Sequence, residues 1–126
     1  MAIGGAVGSV VRYLMNLLIQ GRAGPDFPLG TMMINISGSL ILGALATIGL
    51  ETTALSPDLR LLLMTGFCGG YTTFSTFSLD AVQLMERRQF QRASWYVVGS
   101  VGLSLVGTII GVGVTRELIR AARDRA

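Results

Sequence analysis

Of the chain's 126 residues, 51% are hydrophobic and only 13% charged, where soluble proteins average about 25% charged. This composition gives a single integral-membrane domain over residues 1–126. The net charge of +3 comes from ten arginines, with no lysine and no histidine. All but Arg12 sit at segment ends, and they form no basic stripe interleaved with exposed aromatics, so a nucleic-acid partner is not expected.

Four segments reach the roughly 20 apolar residues that one bilayer crossing needs. The first covers about residues 2–20 and has no small-residue cleavage site, so it is read as a retained helix. Ser9, Arg12, Asn16 and Gln20 follow one another at spacings of three, four and four, which puts them on one helical face. A mid-span arginine is costly and must face a cavity or a partner. Two readings of Arg12 stand. It draws anions into a wet vestibule open toward the first connection, or it is a buried arginine bonded to backbone carbonyls. Gly4 and Gly8 form a close-packing face.

Gly21–Pro28 is a strong break, and the second segment follows over about 29–50. Thr31, Asn35 and Ser39 recur every four residues. Small hydroxyls are common glue between membrane helices. The Asn35 carboxamide is more specific, because it must find a partner and its NH2 group can donate to an anion. The connection Glu51–Arg60 contains Ser56 and Pro57, an N-cap followed by proline at the first helical position.

The third segment, about 61–85, contains Gly69-Gly70-Tyr71-Thr72-Thr73. Glycine costs about 1 kcal/mol against alanine in a helix interior, and β-branched threonine adds to that. A broken helix is expected near Gly69–Thr73, with backbone groups bared where they line protein or water. A glycine pair used only for close packing is the alternative. Phe74 and Phe77 lie on one face; they are lipid-facing or core rings, or they turn their electropositive edges to an anion.

The charged connection Glu86–Arg92 leads to the fourth segment, about 93–115. It carries Tyr96, Ser100, Ser104 and Thr108 every four residues, and Gly107 with Gly111. Tyr96 beside Trp95 also fits an interfacial belt. The tail after Thr115 reads as an arginine-rich helical end in water or headgroups.

With four crossings, one side holds Arg60, Arg116, Arg120, Arg123 and Arg125, and the other Arg22, Arg87, Arg88 and Arg92. Arginine and lysine bias orients a membrane protein, and here it nearly vanishes. A chain inserted both ways forms an antiparallel homodimer; the alternative is a partner that fixes one orientation. No enzyme is expected. Histidine is absent, Cys68 stands alone, and no pair of carboxylates shares a helix face at membrane depth.

GFCGGYTTFSTFS at 66–78, GTMMINISGSLILG at 30–43 and GGAVGSVVRY at 4–13 together resemble the Fluc (CrcB) family of fluoride channels, in order and over essentially the whole chain. The resemblance implies an all-α membrane protein of the bacterial plasma (inner) membrane. It implies four transmembrane helices per subunit, the third broken, and an antiparallel dual-topology homodimer. Fluoride would pass down its gradient, with one structural Na+ held by the backbone carbonyls of Gly69 and Thr72 from both subunits. Phe74 and Phe77 would contact fluoride, and Asn35 would bond to fluoride or hold the rings. Tyr96, Ser100, Ser104 and Thr31 would form a polar track, and Arg12 would lie at the vestibule. Asp80 departs from the glutamate expected there. The competing functions are a small transporter or a channel for another monovalent ion, and a non-conducting assembly subunit.

Overall fold

A computed structural model describes residues 1–126, whose regular structure is all helix with no strand. Three helices are long and apolar enough to cross a membrane: α1 (Ala2–Ala23), α2 (Leu29–Glu51) and α6 (Phe90–Asp124). Between α2 and α6 lie α3 (Pro57–Arg60), a π-helix (Leu61–Cys68), α4 (Gly69–Tyr71) and α5 (Phe74–Glu86).

Local chemistry sets these boundaries. α1 outruns the expected end at Gln20 and stops at Gly24, whose φ of 82° is the left-handed conformation glycine tolerates. Gln20 closes the turn that follows. Its side-chain amide donates to the carbonyls of Gly24 and Phe27, and its Oε1 accepts the Gly30 N–H at 3.0 Å. Ser56 caps α3 as expected and accepts the Leu59 N–H at 3.3 Å, with Pro57 at the first position. α6 also differs from the expected 93–115. It begins at Phe90 and runs unbroken through the arginine-rich tail, because nothing between Thr115 and Asp124 stops a helix.

The third segment departs most from expectation. Gly69 and Gly70 are helical, and the extended backbone is confined to Thr72 (φ −81°, ψ 159°) and Thr73 (φ −152°, ψ 116°). Upstream, the eight-residue π-helix has no counterpart in the sequence reading.

Two seams hold the bundle. α2 crosses α6, where a methyl at Gly111 would collide with the Leu40 carbonyl oxygen and one at Gly43 with the Thr108 carbonyl oxygen. α1 lies along the π-helix and α4. There Gly4 meets the Leu62 carbonyl, Gly8 the Phe67 carbonyl, and Gly70 the Gly5 carbonyl, all too close for a side chain. In lipid, where the hydrophobic effect between helices is absent, such close backbone approach supplies the packing energy. Both expected glycine pairs, Gly4/Gly8 and Gly107/Gly111, lie in these seams.

Candidate functional site

The backbone break at Thr72–Thr73 is held by side chains from two other helices. The Thr72 N–H makes the last α4 bond, to the Cys68 carbonyl at 2.9 Å. Beyond it Asn35 of α2 takes over. Its Oδ1 accepts the Thr73 N–H at 2.8 Å and its Nδ2 donates to the Thr73 carbonyl at 3.0 Å. One carboxamide thus satisfies both backbone groups of an extended residue that has no strand partner. Thr73 then restarts the helix, its Oγ1 accepting the Thr76 N–H at 3.2 Å; a threonine side-chain cap of this kind is worth about 1 kcal/mol.

Two carbonyls lose their helical donors through this arrangement. Thr73 N–H no longer points to Gly69, and Thr76 N–H no longer points to Thr72. The Thr72 oxygen receives only Arg12 Nη1, at 3.5 Å, the outer limit of a hydrogen bond. Gly69 is solvent- or lipid-exposed, with open space beside its Cα. Hard carbonyl oxygens bared by an unwound helix are the donor type that suits Na+. This chain brings two of them, Gly69 and Thr72. Arg12 is on the Thr72 carbonyl and lines neither of the two cavities described next; this is the backbone-bonded geometry among its two readings.

The restarted helix α5 carries the rings. Phe74 is 77% exposed and Phe77 only 8%, with centroids 5.4 Å apart and planes tilted by 43°. Phe77 packs on Tyr96 at 5.3 Å, and Phe27 meets Tyr96 in a T-shaped contact at 5.7 Å. Tyr96 is completely buried while Trp95 is exposed, so Tyr96 packs in the core of the chain.

A cavity of about 340 Å³ runs along α2 and α6 at the break. Asn35, Thr72, Phe74, Phe77, Ser100 and Ser104 line it, with Ser39 and Thr108 beyond. Ser100 Oγ is a buried polar atom without a partner in the chain, the kind of group that needs a ligand or water. A second cavity, of about 220 Å³, opens toward the first connection among Asn16, Gln20, Asp26, Thr31, Asp80 and Arg87. Tyr96 stands between the two. Its ring packs on Phe77, which lines the first, and its hydroxyl donates at 3.1 Å to Asp80 Oδ2, which lines the second.

Asn35, Phe74, Phe77, Ser100 and Ser104 therefore share one cavity, Thr31 lies in the other, and Tyr96 joins them. Gly69 and Arg12 lie outside both. The sequence reading gave Asp80 no partner. Its position three residues after Phe77 and four after Thr76 was the available signal, since it puts all three on one side of α5.

A family model described as CrcB-like protein, Camphor Resistance (CrcB), matches residues 1–112. A Fluoride-specific ion channel FluC of Rhizobium meliloti (strain 1021) is 47% identical over 116 residues, covering 92% of this chain and 93% of its own length. The protein of the same name from Nitrobacter winogradskyi is 46% identical over 118 residues, and that from Rhizobium etli (strain CIAT 652) 45% over 118, each covering 94% of both chains.

Proposed function

The chain belongs to the CrcB family, and from that membership and the geometry above we propose that it is a fluoride-selective passive channel of the bacterial inner membrane. It is a multi-pass membrane protein and a channel rather than an enzyme. The observation that carries the ion path is the break at Thr72–Thr73, which presents Phe74 and Phe77 to a groove containing an unpartnered Ser100 hydroxyl. Fluoride is small and strongly hydrated, so a path must replace its water with donors. The edges of Phe74 and Phe77 offer electropositive C–H groups, Ser100, Ser104 and Thr31 offer hydroxyls, and the Tyr96 hydroxyl, which donates to Asp80, would have to turn to join them. Asn35 holds the ring-bearing helix through Thr73 and keeps one amide N–H for the ion. A narrow path lined this way rejects the larger, more weakly hydrated chloride.

In this reading residues 57–86 form a fourth, broken crossing, and two copies pair antiparallel. The near-balance of five arginines against four supports insertion both ways. The exposure of Gly69 supports a second copy facing the break. Gly69 and Thr72 carbonyls from both copies would hold a Na+, which when bound adds fixed positive potential near the anion path.

The test is efflux from liposomes holding the purified protein. Rapid, uncoupled fluoride efflux without chloride efflux is expected. Phe77→Ile, which keeps an apolar side chain but removes the ring edge, should lower the rate on the order of 100-fold, the scale of losing about 3 kcal/mol from a selective site. Efflux driven only by a second ion's gradient would identify a transporter. Equal chloride leak would identify an unselective pore, and no efflux at all an assembly subunit.

A further inference from the structure

Gln20 lies on the polar face of α1 and lines the second cavity, yet its side chain is spent on the connection between α1 and α2. The amide donates to the carbonyls of Gly24 and Phe27, and Oε1 accepts the Gly30 N–H. One side chain thus braces the whole connection. The Phe27 carbonyl is met a second time, by the Leu29 N–H at 2.8 Å. What the braced connection presents is the Phe27 ring. Phe27 lines neither cavity, although its neighbours Asp26 and Pro28 line the second. It packs instead on the buried cluster that contains Phe77 and Tyr96, and its plane stands at 89° to the Tyr96 ring. The rings form a row, Phe27, Tyr96, Phe77 and Phe74, with successive centroids 5.7, 5.3 and 5.4 Å apart. Of these four, Phe77 and Phe74 line the first cavity.

We propose that Gln20 and Phe27 are positioning residues of the ion path: the braced connection holds Phe27 against Tyr96, and through Tyr96 it fixes the Phe77 edge at the ion. The proposal rests on the channel reading. A group that binds an ion works when the packing behind it holds it to within about 0.5 Å and 10–20°. Phe74 is exposed and gives Phe77 no firm support within the chain, so the support comes from the Tyr96 side. Tyr96 is tethered to Asp80 at its hydroxyl end, and a ring tethered at one end still tilts. The Phe27 ring set across it blocks that tilt. Leucine at position 27 has no ring to set there, and loss of the Gln20 bonds frees the connection that carries it.

The measurement is the fluoride current through single channels of the whole protein in a planar bilayer, beside the thermal midpoint in detergent. Current per channel does not depend on how many molecules fold. A residue needed only for folding therefore lowers the midpoint and the number of channels and leaves the current per channel unchanged. Phe27→Leu should lower it roughly tenfold, the upper scale of one aromatic contact. Phe27→Tyr keeps the ring and should conduct like the parent. Gln20→Leu should also lower it, and the double variant Gln20→Leu/Phe27→Leu should be no worse than Phe27→Leu alone, because both act through one element. A parental current per channel in Phe27→Leu overturns the proposal, and so does an equal loss in Phe27→Tyr or losses that multiply in the double variant. Should Phe27→Leu yield no channels, Gln20→Leu decides alone: a loss supports the proposal and a parental current per channel overturns it. A parent without fluoride current refutes the channel reading instead, an outcome distinct from a conducting parent matched by its leucine variants.

Discussion

The α2–α6 seam and the segment from Pro57 to Glu86 are both rich in glycine and small hydroxyls, yet they use them oppositely. In the seam the helices stay intact. Gly43, Gly107 and Gly111 let one backbone touch the other, and Thr108 Oγ1 bonds back to Ser104 and across to the Ser39 carbonyl. In the broken segment the helical ladder widens to a π-helix and then stops at Thr72. Its orphaned groups at Thr72 and Thr73 are met from outside, by Asn35 of α2 and Arg12 of α1. Small residues therefore do not mark the site by themselves. The site lies where a side chain from another helix replaces a missing backbone bond, because in lipid no water can do so.

The seam is the easiest half to break. Gly111→Val puts a branched side chain where even a methyl collides with the Leu40 carbonyl. A backbone clash cannot be relieved by a rotamer change, so a loss at the upper end of overpacking costs, about 3 kcal/mol or more, is expected. The protein should fail to elute as a folded species in detergent. Two residues on, Gly113 has open space beside it. Gly113→Ala should be neutral or stabilising by up to about 1 kcal/mol through helix propensity, read as an unchanged or higher thermal midpoint. Destabilisation by Gly113→Ala would show that a second copy packs against that side of α6.

The broken segment should respond through function before fold. Asn35→Ala leaves the part-buried Thr73 N–H and C=O without partners, at about 1 kcal/mol for each. The chain should still assemble, because both glycine seams are untouched. Phe74 and Phe77 should lose their fixed placement, and fluoride efflux should fall about 100-fold, as for a group displaced by roughly 1 Å from its working position. Asn35→Asp keeps the acceptor for Thr73 N–H and sets a carboxylate against the Thr73 carbonyl, so it should not rescue. Near-parental efflux from Asn35→Ala would mean that the break holds itself.

The helices and the existence of the break were legible in the sequence because hydropathy and glycine–threonine propensities act locally. The cap at Ser56 was legible for the same reason. The exact place of the break was not. Propensity blames Gly69 and Gly70, but Gly70 is pinned in helical form against Gly5, and the nearest donor–acceptor side chain, Asn35, is level with Thr73. The π-helix has no composition signal, since widening a helix by one residue depends on what packs beside it. Asn35, Phe77 and Ser100 were legible as candidates from their polarity, ring edge and spacing. The Tyr96–Asp80 bond was not, because it joins residues of two helices whose facing depends on the turn between them.

That turn allows the smallest and cleanest test. α5 ends in a Schellman arrangement: Gln89 N–H returns to the Leu84 carbonyl at 2.9 Å and Arg88 N–H to the Met85 carbonyl at 2.9 Å. The residue at its left-handed position is Arg88, with φ of 58°, where glycine is usual. Its Cβ crowds the backbone, at about 1–2 kcal/mol against the right-handed form. Arg88→Gly removes that crowding and gives back part of it as unfolded-chain entropy, so a net gain of about 0.5–1 kcal/mol is expected, seen as a thermal midpoint a few degrees higher. Because the turn fixes how α5 faces α6, Asp80 should keep its hold on Tyr96 and efflux should not change. A stabilised protein with altered efflux would show instead that strain at Arg88 sets the Asp80–Tyr96 distance, and would tie the turn to the path.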